Sequence, residues 1–221
     1  MKFAVQLKGV AHVLEAVTNC FQGNSARIRK IGDGWFLESS AFDACVTEDE
    51  VVLIAEKILV SIHHVCVLHA QLYSPFEIGS VHTFTDAGTR VSRTVRGSIK
   101  IAIYASKGLQ DLQNPRGEES MGSAVVGVAM KEERVREALA LLGDLEWPQL
   151  YNILEFLGGT NAIVRRKWAT RKQTQNCKQT ANHHRHLGKP TKNRLPANPP
   201  SLSEARIFVL DLLKRWMSEQ L

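Results

Sequence analysis

The feature that most constrains the fold of this chain is a change of hydrophobic period near its middle. Up to about residue 106, stretches such as KFAVQLKGV and SARIRKIGDGWFLESS carry β-forming residues in partial alternation, which is typical of strands. From residue 124 onward, apolar residues recur every three or four positions, which is typical of helices. The sequence therefore predicts an α+β protein with an antiparallel sheet domain over 1–106, a linker over 107–123 and an all-helical bundle over 124–221.

The first part is predicted to hold one main helix among its strands. Asp33 and Gly34 in IGDGWF indicate the tight turn of a hairpin. Thr47 followed three residues later by Glu50 is a capping-box signature, and the apolar positions of DEVVLIAEKILVSI then share one helical face. After this helix, VCVLHAQL and GSVHTFTDAGTRVSRTVRGSIKIAIYA return to a strand pattern, with turns expected at DAGT and RGS.

The second part contains about four predicted helices. The first three are MKEERVREALALLG, EWPQLYNILEFLGG and the basic segment IVRRKWATRKQTQNCKQTANHHRHLG. The fourth begins at a second capping box, formed by Ser201 and Glu204. The proline-containing stretch GKPTKNRLPANPPS is expected to be an extended connection between the third and fourth helices, and four helices are enough to close a small bundle.

Composition excludes several classes of protein. The 221 residues are 44% hydrophobic and 23% charged, as in ordinary folded domains. The most apolar run, VVLIAEKILVSIHHVCVLHA, is interrupted by Glu56, Lys57 and three histidines, and the first residues lack a secretory signal pattern, so we expect a cytoplasmic protein without a membrane partner. The four cysteines form no C-x-x-C pair, and glycine-rich phosphate loops are missing, so no cofactor is expected.

Positive charge is concentrated in one segment. Residues 1–120 hold 12 Lys or Arg against 13 Asp or Glu, whereas residues 121–221 hold 16 against 9. Within 161–194 there are ten basic residues and no acidic one, with Trp168 among them. Such a segment attracts anions, so we expect it to bind nucleic acid, phosphate or an acidic protein. The anion-binding residues predicted from it are Arg165, Arg166, Lys167, Arg171, Lys172, Lys178, Asn182 and His183.

The end of this segment, NHHRHLG, has the residue types of phosphodiester chemistry. A histidine can act as a general acid or base, and an arginine can hold a phosphoryl group with two hydrogen bonds. A metal-independent ribonuclease-like enzyme using His184, Arg185 and His186 is therefore the alternative to a binding module. On a helix, however, only residues three or four apart share a face, so His183 can pair with His186 but His184 cannot join them.

A second group of histidines lies in HHVCVLH. His63, His64, Cys66 and His69 are residue types that bind zinc. If VCVLHA is a strand, His64 and Cys66 lie on one face while His63 and His69 lie on the other. Because the four side chains then cannot converge, and because Val65, Val67 and Leu68 surround them with apolar groups, no metal site is predicted here.

Two resemblances add to these interpretations. TANHHRHLG with PANPPSLSEARIFVLDLLKRW, and GWFLESSAFD with TEDEVVLIAEKI, resemble the two ends of a group of uncharacterised bacterial proteins. The helical part is also distantly similar to HEPN-type domains, many of which are ribonucleases with an arginine four to six residues before a histidine. This chain departs from that motif, because Lys178 stands five residues before His183 and Arg185 directly precedes His186.

Overall fold

The chain forms two compact units. A computed structural model describes residues 2–70, 73–84, 90–94, 101–103, 119–143, 145–186 and 194–221. Contacts between backbone positions divide the chain into Met1–Glu133 and Arg134–Leu221. The first unit holds an antiparallel sheet with helices, and the described part of the second is helical, so the predicted α+β class is confirmed.

The sheet of the first unit is antiparallel throughout its described part. Its order is β2-β3-β1-β4-β5, and β6 also pairs with β4. The predicted hairpin is confirmed as β2 and β3, which pair from Arg27 and Glu38 to Ile31 and Gly34 around Gly32, whose φ is 56°. The strands are β1 (Lys2–Gly9), β2 (Arg27–Ile31), β3 (Gly34–Glu38), β4 (Tyr73–Phe84), β5 (Arg90–Thr94) and β6 (Ile101–Ile103). The predicted turns DAGT and RGS lie outside the described residues.

The main helix of this unit is longer than its sequence pattern suggests. Helix α2 (Glu48–Ala70) begins at the predicted capping box, where Glu50 N donates to Thr47 Oγ1 at 3.2 Å and Thr47 N donates to a Glu50 carboxylate oxygen at 3.0 Å. The strand predicted for VCVLHAQL is wrong, because α2 continues through it to Ala70. Val65, Cys66, Val67 and Leu68 are all buried, so this part of the helix has no polar face and its sequence shows no helical period.

The described part of the first unit also contains three shorter helical segments. They are α1 (Ala11–Thr18), a 3-10 helix (Ser40–Ala44) and α3 (Met121–Lys131). Ser120 caps α3, and its hydroxyl donates to the carbonyl of Cys20 at 2.7 Å, while Ser123 Oγ accepts from Ala26 N at 3.1 Å. These bonds tie α3 to the sheet unit, whereas the sequence pattern started the helical part at residue 124. Residues 107–118 of the predicted linker lie outside the described residues.

Buried side chains lie on both faces of the sheet in the first unit, because Ala4, Phe36 and His82 on one face are buried as well as the residues around Val5 on the other. Val5 pairs with Leu37 on one side and with Val81 on the other, and all three side chains are buried. Helix α2 packs against β1, β4 and β6 and also contacts α3. By length and composition alone, α2 is apolar enough to cross a membrane, with a mean hydropathy of 2.0 over its most apolar window. Just over half of that window is buried within the protein, as is usual for a core helix.

The second unit has five described helices. They are α4 (Glu133–Ala140), α5 (Trp147–Phe156), α6 (Gly159–Arg165), α7 (Arg171–Arg185) and α8 (Leu202–Ser218). The capping box predicted at Ser201 starts α8. The single basic helix predicted from 163 to 188 is instead split into α6 and α7. Lys167 has a φ of 58°, which ends α6, and Thr170 with Gln173 forms a third capping box that starts α7.

The helices of the second unit enclose an apolar core of their own. Leu150, Ile153 and Leu154 of α5 are fully buried, as is Leu213 of α8. Trp216 of α8 is 1% exposed and meets the ring of Phe156 edge-on, with 5.1 Å between ring centroids. Helix α5 contacts α6, α7 and α8, so it occupies the middle of this unit.

The close packing of α3 against the Cys20 carbonyl can be tested with a substitution at Gly122. A Cβ added at Gly122 would collide with that backbone oxygen and would lie 3.0 Å from the ring of Phe21. We expect Gly122→Ala to lower the free energy of unfolding by about 1–3 kcal/mol in urea titrations followed by circular dichroism. Gly143→Ala is the control, because that Cβ would meet nothing within 4 Å. Equal stability of the two variants would contradict the observed packing of α3.

Candidate functional site

Helix α7 carries most of the residues that the sequence analysis singled out. Its buried stripe consists of Thr174, Cys177, Thr180 and Ala181, which recur every three or four residues and so share one face. Burial raises the pKa of the Cys177 thiol to about 12, so this cysteine stays protonated and unreactive at neutral pH. The other faces of α7 hold its cationic and amide side chains, which are exposed or half-buried.

The predicted anion-binding residues form two clusters along α7. Arg165, Arg166, Lys167, Arg171 and Lys172 surround the start of the helix and are here called the first cluster. Lys178, Asn182 and the run His183–His186 occupy its second half and are called the second cluster. At about 1.5 Å per residue, Arg171 and Arg185 are about 20 Å apart along the axis. The structure thus places the predicted residues in two separate groups, one at the end of α6 and the start of α7 and the other in the second half of α7.

The first cluster combines side-chain charge with the positive end of a helix. Arg171 and Lys172 are exposed in the first turn of α7, which contains no acidic residue. The capping box that closes this end uses the neutral Gln173, so the partial positive charge of the helix start is not offset. Arg166 lies over the ring of Trp168 at 4.7 Å, and its nearest carboxylate, on Glu219, is 3.9 Å away.

In the second cluster, His184 is held by an aromatic side chain of α5. Its imidazole stacks on the indole of Trp147 with 4.7 Å between centroids and an angle of 9° between the rings. The neighbouring His183 meets His184 edge-on at 5.5 Å. Trp147 was not part of the sequence prediction, because a tryptophan at the start of an amphipathic helix looks like a core residue.

Arg185 is held by a different ring of the same helix. Its guanidinium lies 4.0 Å from the ring centroid of Tyr151, one turn after Trp147. It also donates to Asn182 Oδ1 at 3.1 Å and lies 3.1 Å from His186 Nε2. Since these contacts orient the guanidinium without neutralising it, Arg185 keeps its full charge at the surface.

The predicted catalytic residues are thus oriented by separate neighbours. His184 lies flat on Trp147, and Arg185 lies over Tyr151 with His186 beside it. Positioned in this way, the cationic and imidazole groups offer hydrogen-bond donors to an anion. In these contacts one aromatic ring lies against a guanidinium and another against an imidazole.

A cavity of about 270 Å³ lies beside the second cluster. Two of its lining residues, Lys178 and Asn182, were predicted from the sequence. The sequence prediction did not include the amide residues Gln175 and Gln179. Their signal in the sequence was the spacing of Gln175, Gln179 and Asn182, which places three carboxamides on one helical face. The lining residues are Tyr151, Thr160, Gln175, Lys178, Gln179 and Asn182.

Among the described residues that line this cavity, Lys178 is the one cation. Its Nζ lies 2.6 Å from a carboxylate oxygen of Glu155 on α5 and 5.7 Å from the ring centroid of Tyr151. The charge of Lys178 is therefore locally balanced, unlike that of Arg185. The cavity is lined by polar but nearly neutral groups, with an uncompensated positive charge close to its edge.

The first unit has a polar cavity of its own, of about 340 Å³. Arg27, Arg29, Glu38 and Asp43 are among its lining residues. Arg27 is the cross-strand partner of Glu38, and Arg29, two residues farther along β2, reaches the same carboxylate and forms an ion pair at 2.6 Å. This cavity contains none of the residues predicted to be functional.

The histidines of α2 have a different geometry from the one expected for a strand. On the helix, His63 and Cys66 are three residues apart and share a face. Cys66 is fully buried. Its burial raises the pKa of its thiol far above the ordinary value, and the nearby Cys20 adds a smaller effect in the same direction. Among the described residues, no group of three or more His, Cys, Asp or Glu side chains is arranged to hold a metal ion.

Comparison of the chain with protein-family models, with curated proteins and with solved structures gives no match.

His64 gives a test of the packing around α2. Burial, helped by the adjacent His63, lowers its pKa from 6.5 to about 4. As the pH falls below 6.5 the unfolded chain binds a proton at this position and the folded chain does not, so stability decreases until about pH 4. We expect the first unit to lose about 2 kcal/mol between pH 7 and pH 5 through His64, and His64→Gln to remove that loss.

The measurement is urea unfolding of both proteins across this pH range, with the exposed His12→Gln as the matched control. The control is expected to follow the parent protein. If His64→Gln keeps the full acid sensitivity of the parent, the histidine is not buried as described.

Proposed function

We propose that the helical unit is an accessory module that binds a nucleic-acid strand through the two clusters of α7. The observation that carries this proposal is the combination of cations with aromatic side chains along α7 and at its start. Trp147, Tyr151 and Trp168 each contact a basic or imidazole side chain of the segment 165–186. Proteins that bind single strands combine a positive surface along the phosphates with aromatic groups near the bases.

The charge of the surface supports an anionic partner. Arg165, Lys167, Arg171 and Lys172 are exposed, and no ion pair joins them to another described residue. Among the described cations of this segment, Lys178 has the closest carboxylate, at 2.6 Å on Glu155, and Arg166 forms a longer pair with Glu219 at 3.9 Å. Cations that are not neutralised within the protein release counterions when they contact phosphates, which favours binding and makes it salt dependent.

The separation of the clusters supports a polymer rather than a single phosphate. A distance of about 20 Å along α7 corresponds to about six nucleotides of a strand whose bases stay stacked with the duplex rise of about 3.4 Å, and to fewer in a more extended strand. This lies within the range of site sizes of small single-strand-binding domains. A strand of this length can place phosphates on the first cluster and on Arg185 at the same time.

The test is the affinity of the whole chain for a labelled 12-nucleotide RNA or DNA strand, measured by fluorescence anisotropy between about 50 and 200 mM salt. We expect the dissociation constant to rise steeply with salt. The double variant Arg171→Gln/Lys172→Gln is expected to bind more weakly and to lower the slope of the log–log salt plot by about 1.4, since each phosphate contact on a single strand contributes about 0.7.

The matched control is Lys57→Gln/Lys131→Gln, which removes two exposed charges from the first unit. It is expected to retain the affinity and the salt slope of the parent. Absence of binding at 50 mM salt, or equal losses in both double variants, would contradict the proposal. Strand cleavage in the same tubes that disappears in His184→Ala or His186→Ala would replace it with the ribonuclease hypothesis.

A further inference from the structure

We infer that the cavity beside α7 is a subsite for one unpaired nucleobase, read by the carboxamides of Gln175, Gln179 and Asn182. This inference rests on the proposed function, and it adds base preference to a surface that would otherwise bind any strand. Phosphates farther along the strand in each direction would lie on the first cluster and on Arg185. The subsite itself would hold the base between α5, α6 and α7.

The chemistry of the lining favours a base over a phosphate. A phosphate presents only acceptors, so its sites are built from donors such as arginine, lysine and backbone amides. A carboxamide presents a donor group and an acceptor oxygen side by side. Three carboxamides in one cavity therefore match a ligand with both kinds of group on one edge, and the edge of a nucleobase is such a ligand.

The charge of the cavity also favours a base over a phosphate. Lys178 is the cationic lining residue, and its ion pair with Glu155 at 2.6 Å balances it. The Glu155 carboxylate would also repel a phosphate placed beside Lys178. A neutral, planar base does not need a free cation and is not repelled by the Glu155 carboxylate. The uncompensated guanidinium of Arg185 lies at the Tyr151 side of the cavity, where it can take the adjoining phosphate or stack on the base.

The arrangement of the amides leaves them available to a ligand. Gln175 and Gln179 are exposed, and they are one helical turn apart. Asn182 is half-buried, and its Oδ1 already accepts from Arg185, so its amide N–H groups remain to donate. Thr160 on α6 adds a hydroxyl that can donate or accept.

The size of the cavity limits the ligand. Its volume of about 270 Å³ is several times that of a water molecule and just below the usual range of small-molecule pockets. A single base can enter a space of this size, but a duplex cannot. Because base pairing also occupies the edges that the carboxamides would read, the partner is a single strand.

The experiment compares 12-nucleotide oligo(A), oligo(C) and oligo(U) with an abasic strand of the same phosphate number, all bound to the full chain. We expect the parent protein to prefer one base about tenfold or more over the abasic strand, as hydrogen-bonded base readout usually gives. Gln175→Ala and Gln179→Ala should remove this preference and leave the affinity for the abasic strand unchanged.

Two further variants sharpen the result. Gln179→Glu keeps the size of the side chain but replaces the donor with an acceptor, so it should lose or change the preferred base. Asn152→Ala, which removes an exposed amide of α5 that does not line the cavity, should behave as the parent protein. Thermal melting of each variant checks that it is folded.

The outcomes separate the two proposals. Equal affinity of the parent for all homopolymers and for the abasic strand would overturn the base subsite while retaining strand binding. The same conclusion follows if the preference survives in both glutamine-to-alanine variants. Failure to bind any strand, including the abasic one, would overturn the proposed function itself.

Discussion

The candidate site depends on a narrow stripe of small buried side chains on α7. Thr174, Cys177, Thr180 and Ala181 are the buried positions of an otherwise polar helix. The hydroxyls of Thr174 and Thr180 donate to the carbonyls of Thr170 and Asn176, so they are buried without losing hydrogen bonds. Because this stripe faces inward, every cation and carboxamide of α7 must point sideways or outward, and their directions follow from the packing of four small residues.

The segment 161–194 contains no acidic residue of its own, and several of its cationic and imidazole side chains lie against aromatic rings. Arg166 lies on Trp168 and Arg185 on Tyr151, while Trp147 holds His184. An ion pair would fix these groups and cancel their charge. A ring fixes them through its electron-rich face and leaves the charge available. Among the described residues of the segment, two cations also have a carboxylate partner. Arg166 lies 3.9 Å from a Glu219 carboxylate oxygen, and Lys178 forms a closer pair with Glu155 at the cavity, where the lining is otherwise neutral. This difference in charge is why we propose that phosphates bind at the ring-held cations and that an uncharged base binds in the cavity.

Local signals in the sequence predicted the ends of helices better than their extents. The Thr47–Glu50 and Ser201–Glu204 pairs predicted the starts of α2 and α8, because a capping box is formed by residues only three apart. The same signature in Thr170 and Gln173 divides α6 from α7 and was overlooked within a continuous basic segment. The end of α2 could not be predicted from periodicity, since burial on all sides removes the polar face that creates a period.

The sequence by itself determined the α+β class, the basic segment and the residue types of the candidate site, because hydrophobic period and charge are local properties of the chain. Only the tertiary structure decided that the cations of that segment form two clusters, and that Trp147 and Tyr151 of α5 lie against His184 and Arg185. It also decided that three carboxamides line one cavity with Thr160 of α6. These relations join residues more than 10 positions apart, and they depend on which face of α7 is buried, which no local pattern specifies.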